Sequence, residues 1–113
     1  MARFIVLYTA DPATVQQMMT NLTPEQSAAG MALWQQWAAS CGPALVDLGS
    51  PIGPGNHLEG GSVGSSSSQV CGYSIVEADS LEAATALVDG HPHLRSPGTP
   101  GMEVLPYLAL PGM

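Results

Sequence analysis

Val70 to Pro92 reads V-C-G-Y-S-I-V-E-A-D-S-L-E-A-A-T-A-L-V-D-G-H-P. The first part, Val70 to Ala78, is an apolar run with β-branched and aromatic residues, and it reads as a strand. Asp79-Ser80-Leu81-Glu82 then forms a capping box, with Asp79 as cap and Glu82 reaching back. The helix that follows carries Leu81, Ala84, Leu87 and Val88 inward. Gly90 stops it and Pro92 confirms the stop. A strand running straight into a helix is half of a repeated unit. The other half lies on either side. Arg3 to Thr9 is a first strand, apolar at consecutive positions and so covered on both faces. Asp11-Pro12 looks like a cap and a first helical residue, opening a short helix or turn through Met18 and Met19. Thr23-Pro24-Glu25-Gln26 opens a longer helix to about Ser40, where Gly42-Pro43 ends it. Its inward stripe is Ser27, Met31, Trp34, Ala38 and Cys41, flanked by Gly30 and Trp37. Ala44 to Leu48 is a second strand and Met102 to Leu108 a last one. Between them, Gly49 to Ser68 is rich in glycine, serine and proline and forms a mobile flap or part of a hairpin.

The order is strand, helix, strand, strand, helix, strand. Residues 1–113 therefore read as a single α+β domain. It is a ferredoxin-like βαββαβ antiparallel sheet with helices on one face. Helices cover one side of such a sheet, yet the first, third and last strands are apolar on both sides. A bare apolar face of that size is rare on a monomer. A second copy is expected to cover it, giving a two-fold homodimer with a barrel-like core, a dimeric α+β barrel.

The composition removes several functions. The chain has no lysine, only two arginines (Arg3 and Arg95) and nine acids, for a formal net charge of −7. A Schiff-base lysine and a Walker-type phosphate loop are excluded. So is a basic face for nucleic acid or anionic membrane lipid. Phe4 to Leu7 is too short to span a bilayer and lacks the flanks of a secretory signal. Cys41 and Cys71 form no C-x-x-C, so reduced thiols and a cytoplasmic location are expected.

Gly72 to Ala84, Gly90-His91-Pro92 and Met102-Glu103-Val104-Leu105-Pro106 together resemble the YCII-related or DGPF domain family. The shared pattern is a strand, an acidic cap with S/D-L-x-x-A, a helix ending in x-P, and a short V-E-V-x-P strand. The first half agrees more loosely, through the strand ending in Tyr8 and the Leu48-Gly49 strand end. The resemblance implies the same dimeric α+β barrel. It departs from the family in two places. Where DGPF stands just before the third strand, this chain has Ser65-Ser66-Ser67-Ser68-Gln69-Val70. The histidine–aspartate pair that YciI-like members are thought to use has no counterpart either, since Gly30 to Ser40 holds neither residue.

His57 and His91 are the candidate acid–base residues. A neutral imidazole both donates and accepts near pH 7. His91, between Gly90 and Pro92, can also simply cap the last carbonyls of its helix. It is not the partner of Asp79, which stands at that helix's other end. His57 lies in the glycine-rich stretch, with Glu59 two residues on, as a lid residue or an exposed one. A metal set of His57, Glu59, His91 and His93 matches no strong ligand spacing, so no metal and no organic cofactor are expected. Tyr8, Trp34 and Trp37 either line a ligand pocket between helix and sheet or fill the core. Cys41 and Cys71 lack a neighbouring base and read as structural. Besides a metal-assisted site on the histidines and Glu59, two functions follow. One is a cofactor-independent acid–base enzyme, a lyase or isomerase, acting on a small apolar or carbonyl-bearing molecule. The other is a non-catalytic small-molecule-binding or protein-interaction module.

Overall fold

The computed structural model describes residues 1–112, and in it polar side chains set where each helix begins. Asp11 accepts a hydrogen bond from the Thr14 amide at 3.2 Å and starts helix α1 (Pro12–Asn21), a full helix that buries none of its residues. Thr23 Oγ1 accepts from the Gln26 amide at 3.1 Å while Gln26 Oε1 accepts from the Thr23 amide at 3.0 Å. This reciprocal box opens helix α2 (Pro24–Cys41). Gly42, at φ +57°, takes the left-handed turn that ends it. Helix α3 (Leu81–Val88) is capped by Ser80, whose Oγ accepts from the Ala83 amide at 3.1 Å. The expected cap, Asp79, stands one residue too early. Ser80 has the extended backbone that aims its hydroxyl at the first turn.

Strands β1 (Ala2–Thr9) and β2 (Leu45–Pro51) bracket the first two helices. Strands β3 (Asn56–Glu59) and β4 (Ser62–Ser65) form a separate hairpin inside the glycine-rich segment. Strands β5 (Val70–Ala78) and β6 (Gly101–Pro106) complete the set. The main sheet has the order β2-β5-β1-β6, antiparallel throughout, which is the ferredoxin-like arrangement. The second strand runs to Pro51 rather than Leu48, and the last stops at Pro106 rather than Leu108. The sheet is open, with β2 and β6 as edges, and one chain does not close a barrel.

The register pairs Phe4 with Val76, Val6 with Ser74 and Tyr8 with Gly72. These residues share the face that meets Trp37 and Cys41 of α2 and Ala84 and Val88 of α3 in one core. Met31, expected inside, is 55 % exposed, because α2 buries residues only in its C-terminal part, at Trp37 and Cys41. Leu81 is 45 % exposed, since the first residue of α3 precedes the turn that meets the sheet. The opposite face carries Ile5, Leu7, Tyr73, Ile75 and Leu105, none of them in the core cluster. Among the described residues no helix is long and apolar enough to cross a membrane.

Candidate functional site

Alternation along β1 turns Tyr8 into the core, where it is 1 % exposed. Gly72, opposite it on β5, leaves room for its ring: a methyl group there would sit 3.2 Å from Tyr8 Cδ2. The Tyr8 hydroxyl lies 2.6 Å from Ser74 Oγ, and Ser74 Oγ lies 2.6 Å from the Leu48 carbonyl. A carbonyl only accepts, so Ser74 donates to Leu48 and accepts from Tyr8. A kink in β2 brings that carbonyl into place. There Asp47 Oδ1 accepts from the Gly49 amide at 2.8 Å, and Gly49 takes φ +83°. A side chain at Gly49 would run into the Tyr73 carbonyl.

His91 closes the chain. Gly90, at φ +76°, turns the backbone out of α3 and the imidazole folds inward to complete burial. Its backbone amide donates to the Val88 carbonyl at 3.1 Å, but its ring does not cap the α3 carbonyls. Its Nδ1 accepts from the His93 amide at 2.9 Å, capping the short 3₁₀ turn Pro92–Arg95 instead. The proton of the neutral ring is therefore on Nε2, which donates to the Tyr8 oxygen at 3.4 Å. Three aromatic rings box the imidazole in: Trp37 at 4.4 Å, Trp34 at 4.5 Å and Tyr8 at 5.0 Å between centroids. Beside them, His93 Nε2 donates to the Thr9 carbonyl at 2.9 Å.

Burial pushes the His91 pKa down to about 4, with the neighbouring His93 adding to the effect. Burial also pushes Tyr8 up to about 12, against the opposing hydrogen bond to Ser74. Both groups are thus held neutral near pH 7. The Cys41 and Cys71 thiols are free, and burial raises both. They are poor nucleophiles as they stand.

The structure thus brings together His91, Tyr8, Trp34 and Trp37, four of the five residues singled out by sequence. The imidazole of His91 occupies the space between helices and sheet that the aromatics were expected to line. His57 stands apart on β3, its side chain 63 % exposed, with Nε2 3.6 Å from Glu59 Oε2. Among the described residues no three metal-ligating side chains converge. Sequence reasoning passed over Ser74. Its signal was there: a small polar residue in phase with Gly72, Val76 and Ala78 on the inward side of an apolar strand must find a buried partner.

Open space lies next to this cluster. A groove of about 410 Å³ runs between α2 and α3, with Leu33, Trp37, Leu87 and Pro92 among its apolar lining and Asp89 and Arg95 among its polar residues. Trp37 Nε1 donates to the Leu87 carbonyl at 2.8 Å, which fixes the indole against the groove. Among the described residues, Arg3 pairs with Glu77 at 3.3 Å while Arg95 has no acidic partner. No model of a known protein family matches the chain, and no curated protein matches it.

Proposed function

We propose that this chain is a homodimeric, non-catalytic module that binds a small apolar molecule bearing a carbonyl or carboxyl group, in the groove between α2 and α3. One observation carries the reading. Each ring nitrogen of His91 is occupied inside the protein, at the His93 amide and the Tyr8 hydroxyl, while Trp37 and Arg95 line open space. An indole wall gives an apolar contact, and a guanidinium donates to a carbonyl or carboxylate oxygen. The likeness of Gly72 to Pro106 to the YCII-related family agrees with such a small domain, and its missing histidine–aspartate pair fits binding without turnover. The two free thiols suit the cytoplasm.

The test is a titration of intrinsic tryptophan fluorescence with benzoate and with benzyl alcohol. Benzoate is expected to give a saturable change that is weakened in Arg95→Gln and absent in Trp37→Phe. No saturable change with either compound overturns the reading. A second reading, the acid–base lyase or isomerase, is favoured by the Tyr8–His91 contact alone. It requires the core to open, and it predicts turnover of a carbonyl substrate that His91→Ala abolishes.

A further inference from the structure

We infer that the β3–β4 hairpin is an arm that packs onto a second copy of this chain, with Leu58 and Val63 as its contact residues. The inference rests on the homodimer proposed above and goes beyond it, since it assigns the arm a place in the interface. The hairpin has two strands of four residues, and all eight are exposed. Leu58 and Val63 face each other across the ladder at 71 % and 65 % exposure. A two-stranded hairpin of this size is marginal in water and gains its stability from packing against something else.

Charge selects the occupant. From Leu48 to Val76 the chain carries one acid of its nine, Glu59, and His57 stands beside it at 3.6 Å. A basic protein or a cationic surface would be met by a cluster of acidic residues, whereas this arm carries the single Glu59 with His57 beside it. A segment of so little charge meets a strongly acidic partner without repulsion, and this chain has a formal net charge of −7. The sheet face turned away from the helices, half-buried at its centre, matches. Ile5, Leu7, Tyr73 and Ile75, on the two central strands, are uncharged, whereas Glu103 and Asp47 stand on the edge strands and Arg3–Glu77 lies toward the end of the sheet. An apolar centre with a polar rim is the anatomy of a subunit interface. The arm leaves the sheet from β2 and returns into β5, so it is rooted in the same sheet as that face.

Sedimentation equilibrium of the full chain tests this with the double variant Leu58→Ser/Val63→Ser. Both positions are exposed, and circular dichroism checks that the variant folds. The wild type is expected to dimerise, and the variant's dimer dissociation constant is expected to rise about tenfold or more. An unchanged constant overturns the arm while leaving the dimer standing. A monomeric wild type overturns both. A photo-crosslinking residue at position 58 supplies the second measurement. Crosslinks from one chain to residues 70–78 of another support the placement, and crosslinks confined to one chain overturn it.

Discussion

His91 loses contact with water on every side of its ring when the chain folds, while in the unfolded chain it binds a proton near pH 6.5. Its folded pKa of about 4 is lower, so the folded state takes up fewer protons between these values. The stability that His91 contributes is therefore full above pH 6.5 and is lost as the pH falls from there through about 4. The loss is of the order of 3 kcal/mol at its limit. Urea unfolding at pH 7 and pH 4.5 should show it as a fall in wild-type stability that is smaller in His91→Gln. An equal fall in both proteins would place the acid sensitivity elsewhere. Tyr8→Phe keeps the ring but removes the oxygen that accepts from His91 Nε2. A buried donor without a partner costs about 1–3 kcal/mol, and the urea midpoint should drop accordingly at pH 7. The sequence brought out His91, Tyr8, Trp34 and Trp37, but neither Ser74 nor the arrangement of the cluster. The inward turn of the His91 ring depends on the aromatic box supplied by β1 and α2, which are remote from it in sequence. The local pattern Gly90-His91-Pro92 showed only a helix stop.

Capping is short-range, and this is why the helix starts could be read from the chain. Thr23, Pro24 and Gln26 lie within a single turn, and the box they form is complete. Thr23→Ala should lower stability by about 1 kcal/mol in a chemical melt. At α3 two neighbouring residues competed for the cap, and sequence does not separate Asp79 from Ser80 because both are good caps. The backbone decides in favour of Ser80. Ser80→Ala should cost about 1 kcal/mol and Asp79→Ala a few tenths at most, and the reverse order would refute the assignment. Strand ends were less legible. The kink at Gly49 lets β2 continue to Pro51, and it works by fitting a glycine at positive φ beneath the Tyr73 carbonyl, a contact with a strand far along the chain. The hairpin was harder still to read, because serine and glycine carry little strand preference.

At the scale of the molecule, the two faces of one sheet have different fates. Phe4, Val6 and Tyr8 are buried by helices of their own chain, while Ile5 and Leu7, the residues between them, lie outside that core. Strand alternation made this division legible from sequence, since consecutive apolar positions must point to both sides. What covers the second side could not be read the same way, because a partner leaves no mark on the order of residues. If a second copy covers it, folding and assembly are linked, and the thermal midpoint rises with protein concentration. Leu7 sits opposite Tyr73 near the middle of that face and points away from the helices, so Leu7→Lys leaves the core unchanged. The same substitution places an ammonium opposite Glu103 in any two-fold contact through the face, once from each copy, and a buried ion pair in place of packed apolar side chains costs about 1–4 kcal/mol. The variant is therefore expected to fold, to sediment as a monomer, and to melt at a midpoint that no longer depends on concentration. A variant that keeps the wild-type concentration dependence would show that assembly uses another surface.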